Sequence, residues 1–211
     1  MTIHIQNHHF TLHHFGAIYW EEESILLVSD VHLGKVSHFR KHGIAIPIEA
    51  MSENFIRLNS LLDTFQPKTI IFLGDLFHSI INQEWNLFYN WTQSISQKII
   101  LVKGNHDILS VTNFEKISIE VVPELIIDHF VLTHHPLENN ELFNFCGHIH
   151  PGVRLKSKGK QFLNVPCFFR KPKQLILPAF GEFTGNFYLQ PTENDLIYAL
   201  SSDEVVEILI K

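Results

Sequence analysis

The chain has 211 residues, 45% hydrophobic and 18% charged, which suits one folded domain over residues 1–211 and excludes a disordered chain. A net charge of −6 removes any global electrostatic case for nucleic-acid binding. Two cysteines, Cys146 and Cys167, exclude a disulfide framework and lack zinc-type spacing, so free thiols in a reducing cytoplasm are expected.

The opening MTIHIQNHHF is polar and His-rich, without the basic-then-apolar pattern of a secretory segment. His4, His8, His9, His13 and His14 have no accompanying motif and read as surface or strand histidines. Residues 10–20 and 25–29 read as strands, the second on the run Ile25-Leu26-Leu27-Val28. Residues 49–65 read as an amphipathic helix, with Met51, Phe55, Leu58, Leu62 and Phe65 three or four apart and Pro67 as its stop. Thr69 to Leu73 is a short apolar strand. Residues 83–95 read as a second helix, and Ile99 to Val102 as another strand.

This alternation predicts parallel, buried strands covered by helices. After residue 117 strand-like runs follow closely, at 118–122, 124–133, 142–146, 152–163, 175–179, 186–190, 195–200 and 205–210, and this half is expected to be mostly antiparallel. Two sheets packed face to face with helices outside is the simplest assembly. No apolar run approaches the roughly 18 residues of a membrane span. Phe occurs 18 times, an apolar load open to covering a contact between copies of the chain.

Polar clusters punctuate the strand ends: Asp30-Val31-His32, Gly74-Asp75, Gly104-Asn105-His106-Asp107, Thr133-His134-His135 and Gly147-His148-Ile149-His150. Ligands of open α/β sheets bind beyond such ends. Carboxylate, amide and imidazole donors suit hard or borderline divalent metals. Asp75 has two oxygens and can bridge two ions. Asp30, His32 and one late histidine can complete one ion, and Asn105, His134 and the other late histidine the second. The Asp-x-His and His-x-His spacings place paired side chains on one side of an extended segment. Gly74, Gly104 and Gly147 remove bulk near the metals.

The ordered set resembles the calcineurin-like metallophosphoesterase superfamily, whose signature runs D-x-H, G-D, G-N-H-D/E, H, G-H-x-H, over residues 25 to 150. Gly34-Lys35, Phe39-Arg40, Gly43, Pro47, the run from Gly74-Asp75-Leu76-Phe77-His78 to Ser79, and the run from Pro178 to Gly185 resemble the bacterial ligase-associated DNA damage response phosphodiesterase family. The resemblance implies a four-layered α/β/β/α sandwich. It also implies Asp30, His32, Asp75 and His150 on one ion and Asp75, Asn105, His134 and His148 on the other. Manganese is the implied metal, with iron or zinc as alternatives, and a functional association with DNA ligase, helicase and exonuclease is implied. Two positions depart from the pattern. His78 stands where an acidic residue is common, which points it at substrate. His134-His135 replaces His-Gly, which makes His135 a rival ligand or substrate contact.

Two ions sharing a water supply hydroxide at neutral pH for in-line attack on phosphorus. His106, beside Asn105, is expected to donate to the phosphoryl or leaving-group oxygen, with Asp107 orienting it. Two runs lack acids: Val31 to Ile48, with Lys35, Arg40 and Lys41, and Arg154 to Lys173, with seven Lys or Arg. Lys35, Arg40 and the second run are candidates for phosphates flanking a scissile diester, in DNA or RNA. The expected activity is a phosphodiesterase or nuclease linked to DNA repair. A monoesterase or pyrophosphatase for a small metabolite uses the same metals. A non-catalytic scaffold would not keep every ligand position intact.

Overall fold

A computed structural model describes residues 1–43, 45–47, 50–78, 81–138, 141–156, 161–181 and 184–209, the side chains of His38 and Lys156 excepted. Ser79, Lys158, Lys160, Glu182 and Phe183, named above within motifs or basic runs, lie outside the described residues.

In chain order the elements are β1 (Thr2–Ile5), β2 (His8–Leu12), β3 (Ile18–Trp20), β4 (Ile25–Val28), α1 (Lys35–Lys41), α2 (Ala50–Phe65), β5 (Thr69–Phe72), α3 (Gln83–Ser94), β6 (Lys98–Val102), α4 (Val111–Glu115), β7 (Ile119–Val122), β8 (Leu125–Ile127), β9 (Phe130–Leu132), β10 (Phe143–Cys146), β11 (Pro151–Lys156), β12 (Phe162–Lys171), β13 (Gln174–Ile176), β14 (Phe187–Tyr188), β15 (Leu196–Leu200) and β16 (Val205–Ile208). The two long helices fall where apolar periodicity places them. Asn82 caps α3, its Oδ1 accepting from Glu84 N at 2.8 Å.

The first sheet runs β1-β2-β3-β4-β5-β6-β7. Its first four strands pair antiparallel, and β4 to β7 pair parallel. Residues 118–122 therefore do not open an antiparallel half. As β7 they extend the parallel block, with Ile119 opposite Ile99. The short α4 between β6 and β7 supplies the crossover a parallel pair requires. Residues 10–20 hold two strands joined by a turn in which Gly16 has φ +83°. Residues 124–133 split likewise at Asp128, φ +51°.

The second sheet runs β14-β11-β12-β13-β10-β9-β8, with β15 beside β12 and β16 beside β15. It is mostly antiparallel, as expected, but β11 pairs parallel with β14, and β10 has parallel partners on both sides, β9 and β13. This pairing decides the site: parallel β9 and β10 end together, so His134 and the Gly147–His150 segment emerge at one edge.

The two sheets stack through a core that includes Phe10, Trp20, Leu27, Ile71, Phe130, Phe145, Phe168 and Leu175. Ring centroids of Phe10 and Phe145, and of Trp20 and Phe130, are both 4.9 Å apart. Truncating one such ring to Ala costs about 3–5 kcal/mol. On the outer face of the first sheet, Phe55, Leu58 and Leu62 of α2, Phe88 and Trp91 of α3 and Phe114 of α4 bury Leu26, Ile70 and Leu101. Cys146, Cys167, Phe169, Ile176 and Ile197 form a further cluster, packed on by Leu155 and Val165. The architecture is thus a mixed α/β two-sheet sandwich with helices outside. Among the described residues no helix is long and apolar enough to cross a membrane.

Candidate metal centre

Asp30, Asp75 and Asn105 follow the parallel strands β4, β5 and β6, whose shared direction carries all three to one edge. His134 and the Gly147–His150 segment reach it from the second sheet. Five of these residues have left-handed backbones: Asp30 (φ 55°), His32 (52°), Asp75 (51°), His148 (67°) and His150 (51°). The Asp-x-His and His-x-His pairs therefore do not lie on extended segments. Their side chains converge because both members of each pair take a conformation that L-residues rarely adopt, and such strain gathers at functional sites.

The donors form three overlapping groups. Ligand atoms of Asp30, His32 and His150 lie within 4.8 Å of one another, as do those of Asp30, Asp75 and His134, and those of His134, His135 and His148. His150 Nε2 is 3.1 Å from Asp30 Oδ1 and 3.4 Å from His32 Nε2. His134 Nε2 is 3.0 Å from Asn105 Oδ1, 3.4 Å from Asp75 Oδ1 and 3.2 Å from His148 Nδ1. Asp75 is buried within reach of both ends. His134 is buried while His135 is exposed, with its ring 4.1 Å from that of His148.

These residues fit divalent ions. His32 Nδ1 is buried without a hydrogen-bond partner, and buried Asp30 Oδ1 has only the His150 ring beside it, at 3.1 Å, in a contact that does not meet hydrogen-bond geometry, a costly state unless a cation supplies the contact. Burial is the main force pushing the His32 imidazole down to about 3, with Lys35, His150 and His78 adding to it and Asp30 opposing. Burial also lowers His148, helped by His135 and His134. Neutral imidazole is the ligating form. Burial alone would raise Asp30, but the His150 imidazole and the Ser29 hydroxyl hold its carboxyl below the ordinary range.

The glycines serve close approach. A Cβ at Gly74 would sit 2.3 Å from His134 Nδ1, one at Gly104 2.3 Å from Asp75 N, and one at Gly147 1.7 Å from Ser29 Oγ.

Asp107 does not have the task expected of it. Its carboxylate accepts three backbone N–H groups, from Asp75 (2.8 Å), Phe77 (3.0 Å) and Gly104 (2.8 Å), and none from His106. It ties the β5 and β6 loops together rather than orienting an imidazole. His106 is exposed, with its ring 4.5 Å from that of His78 and 5.9 Å from that of His32. Its backbone N–H donates to Asp75 Oδ1 at 2.8 Å. Lys35 is half-buried; burial lowers its ammonium while Asp30 and Asp75 oppose that shift, and Nζ donates to Thr184 Oγ1 at 3.5 Å. Arg40 is not brought to this group: its guanidinium donates to the Ile46 carbonyl.

Two positioning residues escaped the sequence reading, Glu84 and Ser29. Buried Glu84 accepts from Gly34 N (2.7 Å) and Ser37 N (2.9 Å), fixing the chain between His32 and α1. In the sequence it resembles any first-turn helix acid. Ser29 Oγ donates to Asp30 Oδ2 and is a further brace. Phe180 N and Gly181 N donate to Ser29 O (2.9 Å) and Asp30 O (3.1 Å), which explains part of the Pro178–Gly185 run.

Comparison with known proteins agrees with this geometry. Over its whole length the chain is similar to a nuclease of Pseudomonas putida, MPE, at 28% identity and TM-score 0.80, covering 99% of both chains. More distant solved structures include an E. coli phosphoesterase (15% identity, 89% and 99% covered, TM-score 0.46) and an Aquifex aeolicus protein of unknown function (20%, 60% and 78%, TM-score 0.43). No curated protein matches the chain. Residues 23–183 match the calcineurin-like phosphoesterase family, which uses divalent metals, and the chain belongs to that family.

Proposed function

We propose that this phosphoesterase is a manganese-dependent phosphodiesterase acting on nucleic acid, with Asp30, His32, Asp75 and His150 holding one ion and Asp75, Asn105, His134 and His148 the other. The observation that carries this is the convergence of seven oxygen and nitrogen donors from both sheets at one edge. The full-length likeness to a nuclease supports the diester reading. Divalent ions bound there neutralise phosphoryl oxygens and acidify water.

The chain's own groups do the rest. His106, whose ring makes no hydrogen bond among the described residues, donates a proton to the leaving oxygen. His78, its ring 4.5 Å from that of His106 and tilted to it, and Lys35, beside the carboxylates, contact non-bridging oxygens. His135 adjoins the second ion without being its main ligand, since it lies apart from Asp75. Buried, unpaired Cys146 and Cys167 support a cytoplasmic setting. The proposed link to DNA repair, with ligase, helicase and exonuclease, has its support in the sequence resemblance.

Parallel assays on bis-p-nitrophenyl phosphate, p-nitrophenyl phosphate and an oligonucleotide test the reading. Hydrolysis of the diester and the oligonucleotide is expected to exceed that of the monoester about tenfold or more. Preference for the monoester would assign the chain to small phosphorylated metabolites instead.

A further inference from the structure

The metal centre leaves the N-terminal histidines unused, and two of them face each other at the far edge of the first sheet. His4 of β1 stands opposite His9 of β2 in the antiparallel register, so both share one face with Cβ atoms about 4.5–5.5 Å apart. Their ring centroids are 4.4 Å apart at 68°, and both residues are exposed. Their strand neighbours have other work. Ile3, Ile5 and Phe10 are buried in the core, and His8 has both ring nitrogens taken, by the Trp20 indole (3.0 Å) and by Asp128 (3.2 Å). His9 has one taken. The Glu22 carboxylate lies 2.6 Å from His9 Nδ1 and accepts the His9 backbone N–H at 3.0 Å. Desolvation would raise the Glu22 carboxyl, but these bonds from His9 bring it down to about 2. Glu22 is therefore ionised and can only accept, so His9 Nδ1 carries the hydrogen and neutral His9 keeps its lone pair at Nε2. Neither His9 Nε2 nor the His4 ring makes a hydrogen bond among the described residues.

We propose that His4 and His9 form a second metal site, for a nitrogen-preferring divalent ion such as zinc, with Glu22 orienting His9. Imidazole donors suit zinc, copper and nickel, whereas manganese prefers oxygen. An imidazole–zinc bond is about 2.0–2.1 Å, so rings with centroids 4.4 Å apart reach one ion by side-chain rotation alone. A carboxylate on the far nitrogen of a ligating histidine fixes the tautomer and raises the basicity of the ligand, and Glu22 stands in that place behind His9. Two protonated histidines this close repel, whereas an ion between them makes their closeness favourable. Solvent supplies the remaining positions, since both rings are exposed. The site stands apart from the catalytic one: Glu22 precedes the N-terminal end of β4, and Asp30 follows its C-terminal end. An ion here ties edge strand β1 to β2 and stabilises the folded chain by mass action.

The test is zinc titration of the chelator-stripped chain near neutral pH, against a chromophoric competitor, in the parent and in single variants. The catalytic donors are unchanged in all of them, so differences report the second site. The parent is expected to bind one zinc ion more than His4→Gln or His9→Gln. Glu22→Gln keeps that ion but binds it about tenfold or more weakly, the lower end for losing the carboxylate behind a ligating histidine. His129→Gln, which removes an exposed histidine outside the pair, binds as the parent does. A second measurement needs no variant. Cu2+ added to the parent is expected to broaden the ring-proton NMR signals of His4 and His9 together, ahead of those of His129. Equal zinc binding by the parent and His4→Gln, an equal loss in His129→Gln, or broadening of His129 ahead of the pair would overturn the site.

Discussion

The Asp107 carboxylate accepts the backbone N–H of Asp75 at 2.8 Å, a hydrogen bond between the residue that follows His106 and the proposed bridging ligand. With the bonds to Phe77 and Gly104, it locks the β5 and β6 loops into one unit. Burial raises the Asp107 carboxyl above its ordinary value, against the backbone donors. Asp107→Asn replaces an oxygen that accepts two N–H groups with a donor, and should cost about 1–3 kcal/mol in urea unfolding. If Asp107 oriented His106 instead, stability would hold and only the pH profile of turnover would move.

His106 separates chemistry from metal binding. Its ring makes no hydrogen bond among the described residues, while its backbone N–H alone reaches Asp75. His106→Ala should therefore keep the parental metal content and lose about 10²–10⁴-fold in turnover of the diester. Metal analysis beside kinetics checks this, and a parallel fall in metal content would show His106 to be a ligand.

Gly74 and Gly43 share a left-handed backbone, at φ +84° and +82°, but not their surroundings. A Cβ at Gly43 meets nothing within 4 Å, whereas one at Gly74 meets His134 Nδ1 at 2.3 Å. Gly43→Ala should cost about 1–2 kcal/mol, the backbone penalty alone. Gly74→Ala should cost more and also weaken metal binding, read by unfolding and by metal titration. Equal costs would mean that His134 moves aside freely.

Much of the centre was legible because its donors terminate apolar runs: Asp30 after Ile25–Val28, Asp75 after Thr69–Leu73, Asn105 after Ile99–Val102. The rest depends on long-range contacts that no local pattern encodes. Asp107 looked like the partner of its neighbour, yet its partners include Asp75 and Phe77, some 30 residues back in the chain. Nothing in Asp or His announces a left-handed φ, so Asp30 and His150 read as extended. The direction of β7 and of the strands beside β10 follows from crossovers, which composition does not report. Histidines such as His8 did take strand positions, where its Nδ1 accepts from the Trp20 indole at 3.0 Å.

Acid should act on the protein away from the metals as well. Burial pushes His13 down to about 4, with His14 and the N-terminal amine adding to the shift. The unfolded chain takes a proton near the ordinary 6.5, and the folded chain resists until about 4. The unfolded state thus binds more protons in that window, and stability falls as pH drops from 6.5 to 4. His13→Gln removes this proton uptake. Its melting temperature should fall less than the parent's between pH 7 and pH 4.5, by about 2–4 °C. Identical falls would show His13 to titrate normally.

We propose that Asp30, His32, Asp75, Asn105, His134, His148 and His150 would hold two divalent ions on which phosphodiester hydrolysis depends. The most direct measurement strips the chain with chelator and titrates manganese back while following bis-p-nitrophenyl phosphate hydrolysis. Activity is predicted to vanish on stripping, to return with saturation at two equivalents per chain, and to fail to return in Asp75→Ala. Full turnover by the stripped chain, or by Asp75→Ala, would contradict it.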